Sequence, residues 1–212
     1  WVQYIWGDNE IKNQHINEKY DVNGVDCSRF SIETGKVTQQ NPTIGFIGHI
    51  SKRSINYNLV QSVAVARPDW TLLFVGPGTE EDKNTLKEGY PNIVIQDPVS
   101  GTEVPRVIRD FDIGMIPYNT EKADMDYVFP RKACEYLASG KPVISTGLRE
   151  IAVLEPYVSI ADDADSFVDQ VERILRTNIT AEQRRKFCTQ FDWNCLMKNM
   201  TDSIFTVGEG NE

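Results

Sequence analysis

Short, continuously apolar runs alternate with amphipathic stretches from Thr43 onward. This alternation is typical of βαβ units built around a parallel sheet. Six runs are predicted to be strands, at residues 43–50, 70–76, 92–96, 112–117, 142–146 and 157–161. Because apolar residues fill consecutive positions in these runs, we expect helices to cover both faces of the sheet. The predicted fold is therefore a Rossmann-like α/β domain.

Helices are predicted between several of the strands. Apolar residues recur at helical spacing at Ile55, Leu59, Val63 and Ala66, before Arg67-Pro68 ends the pattern. A second such pattern runs over residues 167–175, after an acidic start at 162–165. Two polar helices are predicted near residues 180–190 and 192–205. We interpret the apolar stripes of the first two helices as core-packing surfaces without a chemical role.

Residues 1–40 differ from the rest, since they are rich in Asn, Gln and Lys and lack strand alternation after Tyr4. We interpret them as a linker and the edge of an N-terminal lobe that this chain does not contain. The chain begins at Trp1 rather than Met, which favours its being a fragment. Residues 41–206 are predicted to form one domain, followed by a disordered tail at 207–212.

The composition and net charge of the chain restrict the kinds of ligand that it can bind. The 212-residue chain is 40% hydrophobic and 25% charged, which is typical of a packed globular protein, and its net charge is -9. Such a charge repels nucleic acids and anionic membranes. A phosphate group must then be held locally, by backbone N–H groups and a few cations, which favours a small ligand.

The four cysteines and two histidines show no metal-ligand spacing, and the cysteines form no CxxC pair. We interpret the cysteines as reduced thiols. No apolar run approaches the roughly 18–20 residues that span a bilayer, and the first residues do not resemble a signal peptide. We therefore expect a cytoplasmic protein with no transmembrane segment.

The turn after the first strand is the first candidate phosphate site. Gly48 allows close backbone approach, and His49, Lys52 and Arg53 follow before the next helix. The turn is not a GxGxxG sequence, which disfavours a dinucleotide-binding dehydrogenase. The alternative is an ordinary strand end at which Lys52 and Arg53 are solvated.

Residues 130–146 are more informative. Pro130 and Gly140 bracket a short predicted helix that leads directly into a strand. On this helix Lys132 and Glu135 share a stripe beside the apolar one, so a cation and a carboxylate could bind a phosphate and a ribose diol together. The alternative is that Glu135 pairs with Arg131 or Lys132 on an exposed face, for only about 0.2–0.5 kcal/mol.

The run 130–146 resembles the P-x-K-x-x-E-Y-L-A-x-G-K-P-V pattern in the C-terminal lobe of group 1 glycosyltransferases of the GT-B fold. Residues 23–26 and Phe30 are similar to the N-G-V-D segment that joins the two lobes in that family. The resemblance covers about residues 20–205. It implies that this chain is one lobe of a GT-B architecture, the lobe that binds the nucleotide-sugar donor.

By this resemblance, Glu135 binds the ribose hydroxyls, and Lys132 faces the diphosphate together with backbone N–H groups around Val128 and Phe129. The turn 48–53 closes over the same diphosphate. Tyr127 stands where many members carry the acidic residue that meets the sugar. Since Asp124 or Asp126 could reach the same space, the candidate sugar contacts are Asp124, Asp126 and Tyr127.

Asp124-Met125-Asp126 also forms a D-x-D sequence, which binds a divalent metal in a different glycosyltransferase fold. No third ligand accompanies it, so we expect no metal site and no cofactor besides the nucleotide-sugar substrate. Catalytic residues are not assigned.

The resemblance implies a hexosyltransferase-like enzyme of polysaccharide biosynthesis. It would transfer sugar from a donor such as a UDP- or GDP-sugar, with retention and without metal, to an acceptor on the missing N-terminal lobe. Peripheral membrane attachment through that lobe stays open. Two alternatives also stay open: a nucleotide-sugar epimerase, for which His49 is the lone acid/base candidate, and a non-catalytic nucleotide-binding or scaffold module, which Tyr127 in the usual acidic position leaves open.

Overall fold

The computed structural model describes residues 24–31, 40–120 and 131–206. Within them, six strands form one parallel sheet in the order β3-β2-β1-β4-β5-β6. Their bounds are β1 Thr43–Ile47, β2 Thr71–Val75, β3 Ile93–Gln96, β4 Ile113–Ile116, β5 Val143–Ser145 and β6 Val158–Ile160. Each strand falls inside one of the six apolar runs. The prediction of a Rossmann-like parallel sheet is thus confirmed.

Helices connect the strands: α1 Cys27–Phe30, α2 Tyr57–Ala66, α3 Glu80–Lys87, α4 Val104–Arg109, α5 Arg131–Ala138, α6 Ala164–Arg176, α7 Ala181–Cys188 and α8 Trp193–Thr206. Short 3-10 helices occupy Arg149–Leu154 and Thr189–Phe191. The helices expected from periodicity are present. Helices α3 and α4 were not expected, because α3 buries only Leu86 and α4 has six residues, too few for a periodic signal.

The strand order creates a crevice at one edge of the sheet. From β1 the chain proceeds outward through β2 to β3, and then returns to the other side of β1 for β4. Connections from β1 and β4 therefore leave the sheet in opposite directions, which opens a gap beyond their carboxyl ends. Ligands of open α/β sheets bind in such gaps.

Both faces of the sheet are covered, as the continuous apolar runs predicted. One core layer joins the sheet to α2 and α6 and includes Phe46, Trp70 and Phe74. The other joins it to α4, α5 and α7 and includes Phe111 and Tyr136.

Residues 24–31 also pack on this domain, although they belong to the segment interpreted as a linker. Val25 donates its N–H to Phe191 O at 2.9 Å and accepts from Trp193 N–H at 3.1 Å. Phe30 is buried in the second core layer. The proposed domain boundaries stay predictions, and residues 1–23, 32–39 and 207–212 lie outside the described residues. None of the helices within the described residues is both long enough and apolar enough to cross a membrane.

Two strand glycines allow rings to lie directly on the sheet. A Cβ atom on Gly45 would overlap the Phe111 ring, and one on Gly114 would overlap the Tyr136 ring. These two rings meet edge to face, with centroids 6.1 Å apart. Because Tyr136 belongs to α5, the missing Cβ of Gly114 lets this helix approach the sheet closely.

Gly45→Ala and Gly114→Ala are each expected to lower the free energy of unfolding by about 1–3 kcal/mol, since a methyl group must displace a buried ring. Urea denaturation measures the change. Gly101→Ala is the matched control, because its Cβ would meet only Arg29 at 3.5 Å, an ordinary contact. Equal effects of all three substitutions would contradict this account of the packing.

Candidate nucleotide-binding site

The loop after β1 is tied to both neighbouring loops at the crevice. Gly48 donates its N–H to Val75 O at 2.9 Å, and Ile50 donates to Pro77 O at 2.7 Å. Further along, Asn56 donates to Pro117 O at 2.8 Å. Backbone hydrogen bonds thus join the connections that leave β1, β2 and β4. The turn after β1, which is the first candidate phosphate site, is therefore fixed to its neighbouring loops at the carboxyl ends of the strands.

Glycines make this close approach possible. Gly48 and Gly76 have φ of 152° and 150°, a region that side chains disfavour. A Cβ on Gly76 would overlap the carbonyl oxygen of Gly48. One on Gly78 would lie 2.5 Å from the carbonyl oxygen of Ile50. The two loops therefore pack backbone against backbone.

Helix α5 is positioned by a buried hydroxyl. Tyr136 is fully buried, and its hydroxyl oxygen accepts the N–H of Ile47 at 3.1 Å, at the last residue of β1. The start of α5 is thereby held beside the turn that follows β1. A Cβ on Gly48 would lie only 2.5 Å from Cε of Lys132. The structure therefore brings together two residues that were separately predicted to face the diphosphate.

The direct contacts of the Lys132 ammonium with the described residues are to neutral groups. Its ammonium donates to the hydroxyl of Tyr118 at 3.1 Å and lies 5.7 Å and 5.8 Å from the ring centroids of Phe46 and Tyr118. Within the described ranges, no carboxylate lies within 4.0 Å of this ammonium. The positive charge is held by cation–π contacts and a phenol, so it stays available to an anion.

Glu135 lies one turn further along α5. Its side chain is 12% exposed, and Oε1 accepts from Nε of Arg131 at 3.0 Å. Burial raises the pKa of Glu135, while the charges of Arg131, Lys132 and Arg29 oppose that rise. The pairing with Arg131 considered from the sequence is thus present, but on a largely buried carboxylate rather than on an exposed face.

His49, Lys52 and Arg53 are exposed on the same loop. The N–H of Lys52 is accepted by Oδ1 of Asp82 at 3.0 Å, and the other oxygen of Asp82 accepts from the hydroxyl of Thr79 at 2.8 Å. These hydrogen bonds hold the pKa of Asp82 below its usual value. Asp82 therefore fastens the tip of the loop to the first turn of α3.

Sequence reasoning missed three residues that shape the site: Asp82, Tyr118 and Tyr136. Thr79 and Asp82 have the spacing of a helix-capping pair, which signals a helix start but not a contact with a loop 30 positions earlier. Tyr136 was present in the recognised pattern, without a role. Tyr118 only follows a strand, and its contact with Lys132 depends on the tertiary structure.

Five of the predicted site residues fall in the segment 121–130, outside the described residues: Asp124, Asp126, Tyr127, Val128 and Phe129. Their assignments stay predictions. Among the residues that the structure does describe, no group of three His, Cys, Asp or Glu side chains could hold a metal ion.

Lys141 belongs to the sequence pattern 130–146, as Lys132 and Glu135 do. It lies before β5, however, at the amino ends of the strands and away from the crevice. It is 3% exposed and donates to Arg109 O at 2.8 Å. Burial lowers its pKa. This lysine joins α4 to the start of β5, so its part in the pattern is structural.

A parallel Rossmann-like sheet with a glycine turn and a lysine at the switch point is an arrangement at which open α/β domains bind ligands. The model of the family described as glycosyl transferases group 1 matches residues 41–177. The chain belongs to this family.

Its relatives are longer. TuaH of Bacillus subtilis (strain 168), assigned as a teichuronic acid biosynthesis glycosyltransferase, is 34% identical over 166 residues, which are 74% of this chain and 41% of TuaH. The structure of Anabaena HepE with UDP and glucose is similar with a TM-score of 0.61 at 16% identity, over 86% of this chain and 55% of HepE. Sucrose-phosphate synthase from Thermosynechococcus elongatus is similar with a TM-score of 0.68 at 16% identity, over 89% of this chain and 52% of the synthase. The chain thus spans about half the length of these proteins, and the two structures show the shared fold.

The Asp82 contact predicts a specific pH dependence. Because the pKa of Asp82 is lowered in the folded chain, its contribution to stability is present above the usual aspartate pKa of about 4 and is lost as pH falls through the folded value. Asp82→Asn keeps the shape but removes the charge. Urea denaturation should show a stability difference between parent and variant that is constant above about pH 5 and shrinks below about pH 4. A difference independent of pH would contradict the role of the charge.

Proposed function

We propose that this chain is the donor-binding domain of a glycosyltransferase that transfers a sugar from a nucleotide sugar to an acceptor. The observation that carries the proposal is the apposition of Lys132 to Gly48, one turn before Glu135, at the carboxyl edge of β1. Membership in the group 1 family supports it. The acceptor would be bound by a further lobe of the whole protein.

The chemistry requires a stabilised leaving group. Sugar transfer from a nucleotide sugar leaves a nucleoside diphosphate, whose new negative charge must be met by fixed donors and cations. Lys132 supplies a cation with no acidic partner among its described contacts. In the proposal, backbone N–H groups of Val128 and Phe129 add donors, so that neither a metal nor another cofactor is needed. Transfer would proceed with retention.

The donor is proposed to be a UDP- or GDP-sugar, and the crystal structure of HepE with UDP and glucose makes UDP the first nucleotide to test. Asp124, Asp126 and Tyr127 are the proposed sugar contacts. A role in polysaccharide synthesis is proposed from the similarity to TuaH. Isothermal titration of this chain with UDP, GDP and ADP, in buffer containing EDTA, tests the binding function directly. No saturable binding of any of them would contradict the proposal.

Glu135→Gln is expected to weaken UDP or GDP binding about tenfold or more. Hydrogen bonds from the ribose hydroxyls to a carboxylate are worth about 1.5–3 kcal/mol each, and about 1.4 kcal/mol corresponds to one decade of affinity. Isothermal titration measures the loss.

Arg131→Gln is the matched control, because it removes the partner of Glu135 and leaves the carboxylate in place. It should bind within about threefold of the parent, a difference of less than roughly 0.7 kcal/mol. If both variants bind like the parent, Glu135 is only the partner of Arg131.

Lys132→Met should discriminate between ligands. Methionine retains an unbranched apolar stem close to the length of the lysine stem but carries no charge, so UDP should bind about tenfold or more weakly while uridine binds unchanged. Uridine is the internal control for the folding of the site. An equal loss for both ligands would show that Lys132 supports the pocket rather than the diphosphate.

A further inference from the structure

A second concave site lies at the amino ends of the strands, whereas the nucleotide crevice lies at their carboxyl ends. It has a volume of about 120 Å³ and lies at the amino ends of β5 and β6, beside the last turn of α6 and the first turn of α7. Its lining includes Pro142, Tyr157, Ser159, Arg173, Thr177 and Arg184. Since the strands are parallel, this cavity and the candidate nucleotide site are separated by the length of the sheet.

Arg184 has an unusual environment in this cavity. The residue is only 5% exposed, and its hydrogen bond to Gly140 O is long, at 3.4 Å from NH1. No carboxylate pairs with it in the part of the chain that the structure describes. A guanidinium has several more N–H donors than this bond uses. Buried charges are ordinarily paired, because removing a charge from water without a partner is costly.

The charge of Arg184 persists at neutral pH. Burial lowers its pKa to about 10, and no neighbouring charge contributes to the shift. Nearly all of the guanidinium is therefore protonated at pH 7. The cavity holds a positive charge that the described residues do not neutralise.

The other polar groups of the cavity suit the same kind of ligand. Arg173 is exposed and lines the cavity from the last turn of α6. Its acidic neighbour Glu172 is already paired with Arg67 at 2.8 Å and with Arg176 at 3.6 Å. The hydroxyl groups of Ser159 and Thr177 lie in the same lining. None of the described residues that line the cavity is acidic.

We propose that this cavity is a second anion-binding site, in which Arg184 and Arg173 hold a small oxyanion, a phosphate or a carboxylate. Guanidinium groups bind such oxygens with paired N–H donors, and a buried guanidinium gains most from the bond because it is already desolvated. The volume admits inorganic phosphate or a small organic acid, but not a nucleotide. The site is independent of the proposed transferase function.

Titration of the ¹⁵N-labelled chain with inorganic phosphate tests the proposal. Ionic strength is kept constant with sodium chloride, and NMR follows the amide signals. The Ser159 and Thr177 amides should shift in a saturable manner. A parallel titration with acetate shows whether a carboxylate is bound in preference to a phosphate. If neither anion gives saturable shifts at these amides, the proposal is wrong.

Substitutions assign the effect to this cavity. Arg184→Met, which keeps an unbranched apolar side chain but removes the guanidinium, should abolish the saturable shifts, while Lys132→Met should leave them unchanged because it alters only the nucleotide crevice. Arg173→Gln, at the exposed mouth, should weaken phosphate binding about threefold or more. If Arg184→Met does not fold, the Arg173→Gln titration decides alone. Unchanged saturation in Arg173→Gln or in a folded Arg184→Met would overturn the proposal.

Discussion

The buried hydrogen bond from Ile47 N–H to the hydroxyl of Tyr136 is the contact on which the candidate site depends. It joins the end of β1 to α5 at a point where Gly114 leaves room for the ring. An unpaired N–H in this place would cost about 1–3 kcal/mol, so α5 cannot shift along the sheet without a penalty. Tyr136, Lys132 and Glu135 all belong to the short helix α5. The bond that fixes Tyr136 therefore also fixes Lys132 against Gly48 and Glu135 one turn later.

At both candidate anion-binding sites, attraction for an anion comes from individual cationic side chains and not from the net charge of the chain. A net charge of -9 gives no long-range attraction for phosphates. Among the described residues, Lys132 contacts aromatic rings and a phenol rather than a carboxylate, and no carboxylate pairs with the buried Arg184. The cations on the surface are often paired instead, as Arg67 is with Asp69 and Glu172. Placement within the fold, rather than the number of cations, therefore defines these two candidate sites.

Much of the fold was predictable from local signals. Each strand coincides with a continuous apolar run, and α2 and α6 coincide with helical periodicity, because burial imposes a pattern on neighbouring positions. The strand order was not predictable, since parallel strands can be arranged in several ways with the same local pattern. For the candidate site, the sequence singled out residues that stand in short patterns, such as Lys132 and Glu135, and their roles stay predictions. The contacts that Tyr118 and Asp82 make join loops and helices far apart in the chain.

The sequence by itself determined the family and the class of fold, because the pattern 130–146 and the six apolar runs are read from consecutive residues. The tertiary structure alone decided which charges meet. It placed Lys132 beside Gly48 at the carboxyl ends of the strands, Lys141 at the amino ends, and Arg184 in a cavity that no described acidic side chain lines. The physical reason is that the environment of a charge is set by side chains brought together from distant parts of the chain, and no local pattern in the sequence encodes which of them will be neighbours.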